Sequence, residues 1–156
     1  GGGRSVRTKS LKTLAREAWK LCATYIKIRD DWRCYTCGKQ AFHSPTINAG
    51  HLFPDTHSNT RYDSLNIHAQ CVRCNKYLHG NLHKYIIRFL NDFGLPAYEY
   101  LSVRSCKPYK YTKETLLDVQ VRYHHELVTI FPEKYHAYEN RFGSKKIERK
   151  HEKRKN

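Results

Sequence analysis

Two sets of side chains in this sequence are of types, and at spacings, that can do chemistry. The first is the pair Cys34-Tyr35-Thr36-Cys37 and Cys71-Val72-Arg73-Cys74. Thiolates are soft ligands that suit Zn²⁺, and a two-residue gap lets both sulfurs of one knuckle reach one ion. Two such knuckles predict a closed Cys₄ tetrahedron. Four thiolates leave no open position, so the expected zinc is structural and contributes folding energy rather than reactivity. A pair of redox dithiols is the alternative for the same spacing. The other two of the 6 cysteines, Cys22 and Cys106, stand alone. That pattern, with no apolar leader at the N-terminus, argues against a secreted three-disulfide scaffold.

The second set lies between and just after the knuckles, where His and Asn are dense: His51, Asn66, His68, Asn75 and His79. Phosphodiester hydrolysis needs a base to activate water, a divalent cation beside the scissile phosphate, and positive surroundings. A neutral imidazole suits the first task near pH 7. Imidazole, carboxylate or amide oxygen can serve the second. The third is supplied by composition, with 29 Lys plus Arg against 14 Asp plus Glu and a formal charge of +15. Such an excess attracts polyanions, nucleic acid foremost. The individual charge runs are also compatible with ordinary solvated faces, while the net excess favours nucleic acid.

The elements that must position these groups follow from periodicity. Ser10 caps a helix to about Asp30, whose apolar stripe runs through Leu11, Leu14, Ala15, Ala18, Cys22, Tyr25 and Ile26. Cys22 on that stripe reads as a small buried hydrophobe. After a knuckle and loop over 33–45, strands are expected at Ile47 to Leu52 and Leu65 to Gln70, joined by a polar loop. A helix then begins at Asn75, ends at Gly94 and is prevented from continuing by Pro96. A short helix over 97–105 and a longer one from Thr112 to Ile130, closed by Pro132, complete the reading. The fold class expected is α+β: a zinc-ribbon-stabilised strand–strand–helix core, mostly helical outside it. The chain of 156 residues divides into a basic N-terminus over 1–9, one domain over 10–132 and a basic, disordered tail over 133–156. Mean hydropathy is −0.81 and no apolar run approaches membrane-spanning length, so a soluble, cytoplasmic protein without a membrane partner is expected.

Cys-x-x-Cys-Gly, then Gly-His, then Asn five residues before Cys-x-x-Cys-Asn, resembles the HNH (ββα-metal) nucleases. Within them Ala49-Gly50-His51, the run from Arg61 through Asn75, and Gly80-Asn81-Leu82 resemble the NinG (Rap) recombination proteins of lambdoid bacteriophages. The similarity covers most of 15–130, with 61–82 its most specific part. The resemblance implies a structure-specific endonuclease acting on Holliday junctions and D-loops with Mg²⁺ or Mn²⁺. It implies His51 as general base, Asn66 orienting His51 or holding the loop, His79 on the helix as a metal ligand, and Asn75 ordering the helix start. Many HNH sites place Asp or His directly before the base, whereas this chain has Gly50. His68 first, and Asp55 second, are the expected replacements for that ligand, with His57 and Asn48 behind them.

The resemblance also places Arg73, Lys76, His83, Lys84 and Arg88 near the DNA backbone. The N-terminal Arg4, Arg7, Lys9 and Lys12 and the tail residues Lys145, Lys146, Arg149 and Lys150 would neutralise phosphates without regard to sequence. Tyr109 and Tyr111, interleaved with lysines, suit stacking on unpaired bases or packing on the core. Symmetric cutting of a four-way junction would suit a homodimer through the C-terminal helices. Two other readings stand beside this one: a zinc-ribbon nucleic-acid-binding module without catalysis, favoured by Gly50, and a sequence-specific homing or restriction-type HNH enzyme.

Overall fold

The first helix, α1 (Leu11–Arg29), starts where expected: the Ser10 hydroxyl accepts from the Thr13 amide at 3.2 Å. The structure, a computed structural model, describes residues 8–41 and 46–143. The stripe of α1 buries Leu14, Ala18, Cys22 and Ile26. Burial pushes the Cys22 thiol up to about 12, which makes it an inert packing residue.

Two short strands, β1 (Ile47–His51) and β2 (Ile67–Cys71), form an antiparallel hairpin in which Gly50 faces His68 and His51 faces Ile67. The loop between them is a polar excursion with 3₁₀ turns at Ser58–Thr60 and Ser64–Asn66. Ala49 and Ile67 join the α1 cluster on one face of the hairpin, completed by Leu116 and Tyr123. The opposite face is polar, carrying Asn48, His68 and Gln70.

Beyond β2 the structure departs from a simple helix starting at Asn75. A single π-helical turn spans Arg73–Tyr77, and then His79, Gly80 and Asn81 all adopt left-handed backbone, with φ of 49°, 89° and 49°. Only then does α2 (Leu82–Ser105) begin. It is broken at Gly94, whose φ of 81° and ψ of 168° are not helical, so the expected stop at 94 is present as a sharp break between two helical arms. Two further helices follow, α3 (Lys113–Ile130) and α4 (Pro132–Phe142). Thr112 and Thr115 form a reciprocal capping box on α3.

Helix α4 lies inside the segment expected to be a disordered tail from residue 133. Pro132 ends α3 and also opens α4, because proline at the first turn of a helix loses no intrahelical bond. Tyr135 and Tyr138 of α4 pack on the cluster of Trp32, Ile47 and Leu127. That aromatic spacing is the signal that marks the segment as ordered. The molecule is thus α+β, mostly helical around one small hairpin. No helix among the described residues is long and apolar enough to cross a membrane.

Candidate functional site

The four paired cysteines converge. Their sulfurs all lie within 4.8 Å of one another, and Cys37 Sγ is 3.8 Å from Cys71 Sγ. A disulfide would bring two sulfurs to about 2 Å. Tetrahedral zinc with bonds of about 2.3 Å sets them about 3.8 Å apart. The spacing is therefore that of ligands around one ion, and the four can hold a metal ion such as zinc. Among the described residues they form the single group of three or more Cys, His, Asp or Glu side chains that does so.

Local sequence builds the site. Gly38, at φ of 74°, turns the first knuckle so that its amide bonds the Cys34 carbonyl at 2.8 Å. Three further side chains, not singled out in the sequence, surround the sulfurs. The Thr36 hydroxyl lies 3.3 Å from Cys34 Sγ, and buried Asn81 donates from Nδ2 to Cys74 Sγ at 3.5 Å. Gln70 Nε2 donates to Thr36 Oγ1 at 3.3 Å and to the Gly80 carbonyl at 2.8 Å. Burial opposes the Cys34 thiolate, but hydrogen bonding by Thr36 and neighbouring amides outweighs it and brings Cys34 down to about 6. Burial instead pushes Cys37 up to about 12 and raises Cys71, so it is the convergence of the four sulfurs that suits a metal-ligand set.

Beside this centre lies a cleft of about 400 Å³ lined by His51, Asp55, Asn75 and His79, with Trp19 and Leu82 in its walls. His51 at the end of β1 is held on two sides. Its ring stacks on Trp19 with centroids 5.0 Å apart, and its Nε2 donates to the Arg61 carbonyl at 2.8 Å. That bond assigns the proton to Nε2 and leaves Nδ1 as the basic nitrogen. Burial lowers the His51 pKa, partly opposed by the Arg61 carbonyl and the Asp55 charge, so the ring is neutral at pH 7.

The Asn66 side chain makes no hydrogen bond to His51 among the described residues. It is fully buried under the β1–β2 loop, donating to the Phe53 and Thr60 carbonyls and accepting from the Phe53 amide at 2.8 Å. Those bonds tie Phe53 and Thr60 together across the loop. His79 reaches the cleft from the left-handed turn and not from a helix, as does Asn75 from the π-helical turn.

His68 is placed elsewhere. It lies on the strand face opposite His51, 4% exposed, bonded through Nδ1 to the Tyr85 hydroxyl at 2.9 Å and stacked on Tyr35. His68 shares that face with Gln70 and is not among the residues lining the cleft. Asp55 is the remaining expected ligand that does line it. Nor does the Gly50 position have room for one: a Cβ there would overlap the Gln70 amide oxygen and come within 3.0 Å of Asn75 Oδ1.

Among the expected DNA contacts, Arg73, Lys76 and Lys84 are exposed, with no ion pair among the described residues. Arg88 is engaged, donating to the Tyr35 carbonyl at 2.6 Å, lying 4.3 Å over the Tyr35 ring and pairing with Asp92. Lys9 pairs with Glu17. Tyr111 bonds the Ser58 carbonyl and packs edge-on against Tyr62 and Tyr109, so it belongs to the loop's support. Lys145, Lys146, Arg149 and Lys150 lie outside the described residues.

Fold and site together define a small α+β protein with a four-cysteine cluster, able to hold a metal ion, set against a histidine-bearing hairpin. The sequence profile of the family described as "Bacteriophage Lambda NinG protein" matches residues 3–131, and the chain belongs to that family. It is 29% identical over 114 residues to protein ninG of Escherichia phage 933W, covering 72% of this chain and 55% of the relative. The same identity and coverage hold for protein ninG of Salmonella phage P22. For protein ninG of phage lambda the identity is 27%, with 54% of the relative covered. The chain thus spans about half the length of the curated relatives it matches. No solved structure matches it.

Proposed function

We propose that this chain is a metal-dependent DNA endonuclease on the HNH (ββα-metal) plan, hydrolysing phosphodiester bonds in branched recombination intermediates such as Holliday junctions and D-loops. The observation that carries the reading is His51: a neutral imidazole, fixed by Trp19 and the Arg61 carbonyl, in a cleft shared with His79, Asp55 and Asn75. The resemblance to the NinG proteins supplies the branched substrate. The surplus of positive charge supplies attraction to it.

In this reading Nδ1 of His51 takes a proton from the attacking water. The Nε2–H bond to the Arg61 carbonyl holds the tautomer and steadies the imidazolium that forms. Asn66 keeps that carbonyl in place indirectly, since it ties Phe53 to Thr60, the residue before Arg61 in the loop. A hard divalent cation such as Mg²⁺ or Mn²⁺ takes one or two protein donors and completes its shell with water and phosphate oxygens. Asp55 and His79 fit that limited demand, and such an ion would offset negative charge at the phosphate and leaving oxygen. The zinc expected at Cys34, Cys37, Cys71 and Cys74 would hold the π-helical turn that carries Asn75 and the turn that carries His79. Paired incisions of a four-way junction would use two copies of the chain.

The test is cleavage of junction, D-loop, flap and linear duplex with Mg²⁺, Mn²⁺ or EDTA. Wild type should cut branched DNA in a metal-dependent way, and His51→Ala should be about 10²- to 10⁴-fold slower. Because the base must be neutral, the rate should fall only on the acid side, with a midpoint below the ordinary imidazole value of 6.5. The reading fails if every substrate stays intact in all metals. Filling of the Gly50 slot by Gln70 and Asn75 favours one other reading, a nucleic-acid-binding zinc module without catalysis. Tight, salt-sensitive junction binding without cleavage would establish it.

A further inference from the structure

A second depression, about 790 Å³, adjoins the cleft on the far side of His79 and Leu82, which line both. Its walls are the first knuckle, the π-helical turn and the start of α2. Lys39, Arg73 and Lys84 stand around it, with Tyr77 and Leu78 between them, and no Asp or Glu lines it among the described residues. None of the three cations has a salt bridge or side-chain hydrogen bond among the described residues, unlike Arg29, Arg88 and Arg104, which all do. Tyr77 is 76% exposed, and its ring meets no other described ring. Large apolar and aromatic surface left open among unpaired cations is unusual on a surface that serves only solubility.

We infer that this groove binds an unpaired DNA strand entering or leaving the His51 cleft, with phosphates on Lys39, Arg73 and Lys84 and a base stacked on Tyr77. A base stacked in a duplex cannot reach an aromatic face, whereas an unpaired one can, and every base offers a π-face. Duplex would use the cations alone. The groove therefore adds a preference for DNA with an unpaired segment beside the cut. The identity of the ligand as DNA rests on the nuclease reading above; the groove's charge and open aromatic do not. The stacking role considered for Tyr109 and Tyr111 moves to Tyr77, because Tyr111 is bonded into the β1–β2 loop and Tyr109 packs on it.

The experiment is fluorescence anisotropy of the full, zinc-loaded chain with labelled oligo(dT) and with a duplex of equal length, in EDTA-free buffer without Mg²⁺ or Mn²⁺. Tyr77→Ala should weaken oligo(dT) binding about 5- to 100-fold, the size of a lost base–aromatic stack, and leave duplex binding within about twofold. Tyr77→Phe should restore it. The Lys39→Ala, Arg73→Ala and Lys84→Ala variants should each flatten the salt dependence of single-strand binding by roughly 0.7 in log–log slope. Unchanged zinc content and thermal midpoint would show that these exposed substitutions leave the fold intact. Equal losses for both DNAs on Tyr77→Ala, or no loss for either, would overturn the inference. Assaying cleavage by the wild-type chain in Mg²⁺ or Mn²⁺ keeps the two apart: a wild type that cuts nothing but shows the Tyr77 effect removes the nuclease reading and leaves the groove.

Discussion

At position 50 the chain has no side chain, and the neighbours explain why none can be there. Gln70 fills the space over Gly50 and is tied down by donating to Thr36 at the knuckle and to the Gly80 carbonyl beside His79. Gly50 is thus a packing requirement of the link between metal centre and cleft. Gly50→Asp should not create a metal ligand. It should displace Gln70 and cost about 1 to 3 kcal/mol, as overpacking of a close-packed interior does. Urea denaturation should show the lower midpoint, and junction cleavage should fall; a variant that is as stable as wild type and cuts faster would show that the position tolerates a ligand after all. The contact of Gln70 with Gly50 could not be read from the sequence, since Gly50 and Gln70 are twenty residues apart and not direct cross-strand partners. The cysteines, by contrast, were legible because chelation fixes their spacing. His51 was legible for its place in an ordered pattern, but its partners Trp19 and the Arg61 carbonyl were not.

Among the elements, α1, the hairpin and α3 were readable because each repeats a single period over several turns or residues. The segment 72–81 was not. It makes a π-helical turn and three left-handed residues in place of the first turns of a helix, held by the Gly80 amide on the Cys74 and Asn75 carbonyls and by Asn81 on Cys74 Sγ. Those bonds depend on the folded knuckle, so local propensity carries no trace of them. His68 shows how the hairpin is fastened to α2: it bonds Tyr85, whose hydroxyl donates to the Gly50 carbonyl at 3.0 Å. Burial, with help from the Arg29 and Arg88 charges, lowers His68 to about 3. The folded chain therefore keeps His68 neutral at pH values where the unfolded chain protonates it. Stability from this group is intact above about 6.5 and is lost progressively as pH falls toward 3, by up to about 2 kcal/mol at pH 5. Urea midpoints at pH 7 and pH 5 should show the loss, and the difference should shrink in His68→Gln. Equal pH sensitivity in the variant would mean that other groups carry it.

At the scale of the whole molecule, three apolar clusters share the work, and three of the four paired cysteines lie in the second. Cys34, Cys71 and Cys74 are buried there with Ile28, Trp32, Ile47, Ala69 and Leu127, while Tyr135 and Tyr138 of α4 pack against the same cluster. Arg29 and Asp30 tie the end of α1 to the hairpin. Arg29 donates to the Ser64 and Ile67 carbonyls, and Asp30 accepts from Arg29 and the Ala69 amide. If the four cysteines hold a zinc ion, its loss would leave mutually repelling or newly protonated sulfurs there, with nothing covalent joining the two knuckles. Structural zinc in small domains binds with apparent free energies of about 10 to 16 kcal/mol, comparable to the whole net stability of a domain. Titration with a chromophoric chelator should therefore release one zinc per chain together with most of the helical circular dichroism. Cobalt substitution should give the absorption of a tetrahedral thiolate site. Cys71→Ser should release the metal at far lower chelator concentration than Cys106→Ser, because Cys106 is exposed and remote from the cluster. The α1–α3 cluster contains none of the four paired cysteines. The decisive measurement is accordingly the thermal midpoint of the full chain before and after removal of the ion. A metal-free chain with an unchanged midpoint would show that the three clusters suffice and that the four cysteines do not hold the fold.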